Sequence, residues 1–148
     1  MPHALSVRQA SPLESGALAR LHQDCFARAW DEAAMMQFAA SPEALCLIGS
    51  LDDGAEAGLL IARKAGDEAE ILTFGVVPWC RRRGLGRALL QTAFEHLRAS
   101  GTKRLFLEVD EGNEAALRLY RSFGGEAVGR RQGYYDHGAD ATILSLAL

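Results

Sequence analysis

One stretch restricts this chain more than any other: Val76-Val77-Pro78-Trp79-Cys80-Arg81-Arg82-Arg83-Gly84-Leu85-Gly86-Arg87-Ala88-Leu89-Leu90. It begins as the end of an apolar run from Ile71 to Val77, which reads as a buried strand. It crosses a proline, a run of arginines and a pair of glycines. It then becomes an amphipathic helix with Leu85, Leu89, Leu90, Ala93, Phe94 and Leu97 on one face. The opening amides of a helix have no intrahelical acceptor, and the macrodipole makes that end positive. Gly84 and Gly86 carry no Cβ, so a bulky anion can approach the backbone, and Arg81, Arg82, Arg83 and Arg87 surround the turn with charge. The turn is therefore read as a phosphate site. The competing reading is a solvated basic corner. It is not a nucleoside-triphosphate loop, because no G-x-x-x-x-G-K-[ST] is present. Nor is it a dinucleotide fingerprint, because the third glycine of G-x-G-x-x-G would fall where the chain has Leu89.

The elements around this stretch alternate in type. Leu5 to Arg8 is a short strand, and Pro12 to Cys25 a helix with Leu13, Ala17, Leu18, Leu21 and Cys25 at helical spacing. A second helix starts at Asp31-Glu32 with Met35, Met36 and Phe38 on one side. Runs at 44–49, 57–62 and 68–77, separated by Asp52-Asp53-Gly54 and Gly66-Asp67, read as an antiparallel meander. The helix from Gly86 to Ser100 is closed by Gly101, and Lys103 to Val109 is a buried strand. That strand follows a strand–helix unit and is expected to lie parallel to 71–77 by a right-handed crossover. A short helix with Asn113 as N-cap runs to Tyr120, and a strand pair at 126–131 and 141–148 ends the order. The expected fold is α+β: a mixed, mostly antiparallel sheet, with helices on both faces, in one domain over 1–148.

The chain has 148 residues and a net charge of −3, which argues against a general nucleic-acid binder while leaving room for a local basic patch. Residues 1 to 10 lack the apolar core of a signal peptide, and no run reaches the length of a membrane span. Cys25, Cys46 and Cys80 are odd in number and widely spaced, which reads as free thiols in a reducing cytoplasm. No metal is expected. His3, His22, His96 and His137 are scattered and read as surface or packing residues.

Two side chains downstream carry the chemistry. Glu108 sits near the C-terminal end of the 103–109 strand, where open α/β sheets bind ligands, and projects from the face opposite Leu105, Leu107 and Val109. It is a candidate base; the alternative is a structural partner of Lys103 or Arg104, or a helix cap. Tyr120 follows Asn113 by two helical turns, which gives them one face. A phenol, with unperturbed pKa of about 10, can donate to a departing thiolate whose acid has a pKa of about 8.5. An ordinary packed tyrosine is the alternative. Backbone N–H groups near Val76 and Val77, between the parallel strands, are placed for oxyanion-type work on a carbonyl. Phe26 and Trp30 either plug a helix–helix corner or form the wall of a substrate groove.

The pattern Arg81-x-x-Gly84-x-Gly86 after Val77-Pro78 resembles the pyrophosphate-binding signature of the GCN5-related N-acetyltransferases (GNAT). Several stretches extend the likeness along nearly the full length to the RimI type of bacterial N-terminal acetyltransferase. They are Cys25-Phe26 with Ala29-Trp30, 67–72, 77–90, Leu107-Glu108-Val109 with Asn113, Ala116 and Leu119-Tyr120, and Arg130-Arg131 with Tyr134-Tyr135. The resemblance implies a GNAT fold whose parallel strand pair lies at an acetyl-CoA site, with acetyl-CoA as co-substrate. It implies Val76, Val77, Arg81, Arg82, Arg83, Gly84, Leu85, Gly86, Arg87, Asn113 and Tyr120 as its contacts. It further implies Glu108 as base, Tyr120 as acid, and Phe26, Trp30, Glu108, Tyr134 and Tyr135 against the acceptor. The implied acceptor is the N-terminal alanine of a small-subunit ribosomal protein. The family usually has proline before the tryptophan, where this chain has Ala29. An α-amino group of pKa about 8 costs about 1.4 kcal/mol to deprotonate at pH 7, against about 4.6 kcal/mol for a lysine, which favours an N-terminal acceptor for a single glutamate. A GNAT enzyme for a small amine, and a catalytically silent acyl-CoA-binding module, are the other readings.

Overall fold

A computed structural model describes residues 5–134 and 138–148. Seven strands form one sheet: β1 (Ser6–Gln9), β2 (Ala44–Ser50), β3 (Glu56–Ala65), β4 (Glu68–Val76), β5 (Arg104–Asp110), β6 (Glu126–Arg131) and β7 (Ala141–Ala147). Their order is β1-β2-β3-β4-β5-β7-β6. All neighbours are antiparallel except β4 and β5, the expected parallel pair. The helices are α1 (Ser15–Cys25), α2 (Glu32–Ala40), α3 (Leu85–Ala99) and α4 (Glu114–Ser122).

The helix expected from Pro12 opens instead as a 3-10 turn, Pro12–Glu14, and α1 proper starts at Ser15. The tighter turn rotates Leu13 off the apolar face, so it is 96% exposed while Leu18 and Leu21 are buried. In α2 only Met35 is fully buried, and Met36 turns to solvent, as the 100° step between adjacent helical residues requires. In α3 every residue of the predicted apolar face is buried. At about 1.5–3 kcal/mol for each fully buried large side chain, this face fastens α3 firmly to the sheet.

How α3 reaches the sheet is set by two glycines. Gly49 of β2 and Gly58 of β3 are register partners. A Cβ at Gly49 would come 2.8 Å from Leu85 Cδ1, and one at Gly58 would come 2.9 Å from Leu89 Cδ1. The missing methyls form the depression into which the first turn of α3 sinks.

The parallel pair is short. Only Glu68, Ala69 and Glu70 of β4 pair with β5, opposite Arg104, Leu105 and Phe106. Beyond them the strands part, although β4 runs on to Val76 and β5 to Asp110. Two causes are visible. A bulge in β4 at Leu72 lets Ile71 face Ala62 and Thr73 face Ile61 on β3, bending β4 locally. β5 keeps full register with β7 from Arg104 to Asp110 and follows it away. Helices cover both faces of the widened region. Thr73 and Gly75 of β4 touch the end of α1. Phe74 and Val76, on the opposite face, lie near Gly86 of α3, and Phe74 also faces Tyr120 of α4.

Candidate active site

The parting of β4 and β5 leaves a cavity of about 570 Å3. From β4 it is lined by Glu70 through Phe74, and from β5 by Phe106, Leu107 and Glu108; Phe26, Tyr120, Arg131, Tyr134 and Ile143 complete it. It draws walls from both sides of the sheet: Phe26 and Thr73 from the α1 side, Phe74 and Tyr120 from the α4 side. Glu108, Tyr120, Phe26 and Tyr134, named from sequence, therefore meet in one space. Trp30 is not among the lining residues; it stacks on His22 at 4.8 Å and tilts against Phe38 at 5.2 Å. Tyr135 lies outside the described residues.

Glu108 does not pair with Lys103 or Arg104. Arg104 bonds Ser145 at 2.7 Å, and the partner of Glu108 is Arg131, whose Nε lies 3.0 Å from Oε1. Arg131 is on β6, with β7 in between; the residue directly across β7 from Glu108 is Gly129, so Arg131 reaches it diagonally from two positions on. Its guanidinium also lies 5.4 Å from the centre of the Tyr134 ring. The Tyr134 hydroxyl donates to Glu108, and that hydrogen bond is the main reason its pKa stands above the usual phenol value. The carboxylate is thus held from one side by a cation and a phenol while its other face looks into the cavity. Arg130 anchors the same loop through Glu111 and Asp140, and Asp140 accepts from the Gly133 amide at 2.7 Å.

Tyr120 is buried, 7% exposed, in the last turn of α4 with its ring 6.2 Å from that of Phe74. Asn113 caps α4, its Oδ1 accepting from the Ala116 amide at 3.1 Å. That cap fixes the start of the short helix that carries Tyr120.

At the basic turn, Gly84 is the N-cap of α3 with φ of 85°, a left-handed conformation that favours glycine, and no side chain caps the helix. The first intrahelical bond runs from the Ala88 amide to the Gly84 carbonyl at 3.0 Å, so the amides of Leu85, Gly86 and Arg87 precede the ladder. Arg82 is also left-handed, at φ of 67°. For a non-glycine residue this costs about 1–2 kcal/mol, strain concentrated where the anion site is expected. Arg81, Arg82 and Arg83 are exposed. Arg87 donates to Ser122 Oγ at 3.2 Å and lies 5.3 Å over the Phe123 ring, tying α3 to the end of α4.

Val76 and Val77 differ in role. The Val77 amide donates to Ala57 of the neighbouring segment at 2.8 Å and its side chain is buried. Strand alternation then turns the N–H and C=O of Val76 to the open side, where its carbonyl accepts from Arg81 Nε at 3.1 Å. The uncapped amides, the glycine that leaves them unshielded and the exposed arginines fit a coenzyme diphosphate.

Sequence reasoning did not single out Thr73, Phe74 or Phe106 as cavity residues, and it quoted Arg131 only within the resemblance. Thr73 alone carried a signal, as a hydroxyl inside an apolar strand. All three cysteines are free. Burial pushes the Cys25 and Cys46 thiols up to about 11. No group of metal-binding side chains is present among the described residues, nor a helix long and apolar enough to cross a membrane.

Comparisons with known proteins identify the family and the fold. The family model described as "Acetyltransferase (GNAT) family" matches residues 16–125. The [Ribosomal protein bS18]-alanine N-acetyltransferase of Escherichia coli K12 is 37% identical over 99 residues, 65% of this chain and 67% of that one. The N-alpha-acetyltransferase RimI of Mycobacterium tuberculosis is 44% identical over 78 residues, 52% of this chain and 48% of that one. The crystal structure of the ribosomal-protein-S18-alanine N-acetyltransferase from Escherichia coli superposes with a TM-score of 0.87 at 29% identity, covering 97% of this chain and 94% of that one. The chain belongs to the acetyltransferase (GNAT) family, alongside its RimI-type members, and is an acetyl-CoA-dependent N-acetyltransferase.

Proposed function

We propose that this enzyme acetylates the α-amino group at the N-terminus of a protein, with the N-terminal alanine of a small-subunit ribosomal protein as its acceptor. The observation that carries the reading is the shared cavity in the parted strands, where Glu108 and Tyr120 both line one slot walled from both sides of the sheet. Bound acetyl-CoA supplies an acetyl group activated as a thioester. The amides of Leu85, Gly86 and Arg87, with Arg81, Arg82 and Arg83, hold its phosphates, and the backbone of Val76 orients the arm entering the slot. Arg87 and Asn113 serve the same site by fixing α3 against α4 and by capping α4. Glu108 takes a proton from the acceptor ammonium and passes it to solvent; the freed amine attacks the thioester carbonyl carbon, forming the C–N bond; as the C–S bond breaks, the Tyr120 hydroxyl protonates the departing sulfur and recovers a proton from the acylated nitrogen. Phe26 and Tyr134 bound the acceptor's first residues, with Trp30 behind His22. The relatives in Escherichia coli that share 37% identity are named for the same alanine acceptor, which supports the choice. An enzyme with this substrate works in the cytoplasm.

The test is a side-by-side assay of the purified enzyme with acetyl-CoA and peptides bearing the N-terminus of the ribosomal protein, against polyamines, amino acids and aminoglycosides. Mass spectrometry locates the acetyl group. Acetylation of the peptide α-amine is expected; activity on small amines alone would overturn the acceptor assignment. Glu108→Gln is expected to lower kcat/KM most at low pH, and Tyr120→Phe to lower kcat. Wild-type turnover by both variants would remove them from the mechanism.

A further inference from the structure

His22 is 3% exposed, and both of its ring nitrogens are engaged. Nδ1 lies 3.0 Å from the Trp30 amide nitrogen, which can only donate, so Nδ1 is the acceptor. Nε2 lies 3.1 Å from Thr73 Oγ1 and therefore carries the proton and donates. Burial lowers the pKa of the ring, which favours this neutral form. The ring is packed between Phe26, at 4.6 Å and tilted, and Trp30, at 4.8 Å and stacked.

These contacts join three parts of the molecule. Thr73 follows the bulge at Leu72 that opens β4 away from β5, and it lines the slot. Phe26, the residue that closes α1, lines the same wall. Trp30 ends the short connection between α1 and α2 just before the Asp31 cap. Two residues beyond Thr73, on the same strand face, a Cβ at Gly75 would lie 3.1 Å from Cys25 Sγ and 3.3 Å from the Phe26 ring. The end of α1 is thus seated directly on the bent strand. A residue with only bulk would fill this place without fixing its neighbours; one acceptor and one donor in a rigid plane fix both.

We propose that His22 is a positioning residue for the acceptor half of the slot, a single imidazole that ties the Trp30 amide to the Thr73 hydroxyl and thereby sets Phe26 and the bent part of β4 at their working separation. The proposal rests on the reading of this slot as the acceptor site. The donor half, built on α3 and α4, makes none of these contacts.

The discriminating series is His22→Leu, His22→Gln and Thr73→Val, measured in the full-length enzyme. The Gln variant keeps an amide oxygen to accept from Trp30 and an amide N–H to donate to Thr73; the Leu variant keeps only bulk. For His22→Leu the expected result is a rise of about three- to tenfold in acceptor KM, as for loss of net hydrogen bonding at a wall. The acetyl-CoA KM and kcat are expected to stay within about twofold. His22→Gln is expected to restore most of the acceptor KM. Should the His22→Leu variant not fold, Thr73→Val removes only the hydroxyl and is expected to show a smaller rise of the same kind. An unchanged acceptor KM, an equal rise in both KM values, or a Gln variant no better than the Leu variant would overturn the role. Amide hydrogen exchange at Trp30 tests the tie without any acceptor: protection lost in His22→Leu and kept in His22→Gln supports it, and protection unchanged in His22→Leu refutes it. If the wild type acetylates no N-terminal peptide, the acceptor assignment fails while the exchange result still decides the role of His22.

Discussion

Replacing Gly58 by alanine tests how the donor site is built. The added Cβ would stand 2.9 Å from Leu89 Cδ1, 3.1 Å from the Gly75 carbonyl oxygen and 3.3 Å from Leu85 Cδ2, where ordinary contact begins at 3.4 Å. Leu89 and Leu85 are 0% and 1% exposed, so both methyls are enclosed by the core and cannot swing out to solvent. Relief must come from a shift of about 0.5 Å in the first turns of α3, and overpacking of this kind costs about 1–3 kcal/mol. The loss of glycine freedom in the unfolded chain returns about 0.4–1 kcal/mol. The net, about 1–2 kcal/mol, corresponds to a fall in Tm of about 3–6 °C for a chain of this size. The same shift displaces the amides of Leu85, Gly86 and Arg87, and an error of this size at a binding cradle is expected to raise the acetyl-CoA KM about three- to tenfold. Thermal unfolding and steady-state kinetics with each substrate varied in turn read both effects. A variant with wild-type Tm and wild-type acetyl-CoA KM would refute the argument that the paired glycines seat α3. An equal rise in the acceptor KM would show a general loosening instead.

Other outcomes follow from the same structure. The unfolded His22 binds a proton below about 6.5, whereas burial lowers its folded pKa. Between the two values the unfolded state holds more protons, so stability falls as pH drops through that window. Chemical denaturation at pH 7 and pH 5 should show this fall, and His22→Gln should reduce it; an unchanged slope in the variant would assign the effect elsewhere. With thiol pKa values of about 11, Cys25 and Cys46 should react slowly with a disulfide reagent at neutral pH in the folded protein and promptly in guanidinium. A fast phase at Cys25 in the native enzyme would contradict its burial. Arg131→Gln should leave Tm within about 2 °C, because exposed ion pairs contribute about 0–1 kcal/mol. It should nonetheless lower kcat by releasing Glu108 from its orienting partner, and an unchanged kcat would remove Arg131 from the site.

Much of the architecture was legible because it rests on local rules. The leucine spacing in 85–97 is enough to define α3, expected from Gly86 and found from Leu85, and Asn113 marks the start of α4 as its cap. The pairing of β4 with β5 follows from chain order and handedness alone. The opening between those strands was not legible. Ile71 to Val76 is an apolar run interrupted by Thr73 and Gly75, and nothing in its pattern reveals the extra residue at Leu72. The structural partners that sequence offers Glu108 are its chain neighbours Lys103 and Arg104, yet Arg131 arrives from two strands away, diagonally across β7. His22 was read as a packing residue, and it is one. Its two hydrogen bonds depend on a loop and a strand whose approach no local spacing encodes.

The short contact between β4 and β5 has a mechanical consequence. The sheet counts seven strands, yet β1 to β4 on one side and β5, β7 and β6 on the other pair in register only at Glu68, Ala69 and Glu70, beside the bond from the Lys103 amide to the Asp67 carbonyl. The arrangement is that of two leaves joined at one end, with α3 and α4 packed on one face and α1 on the other. Small rotations about that joined end change the width at Glu108 far more than the width at Ala69.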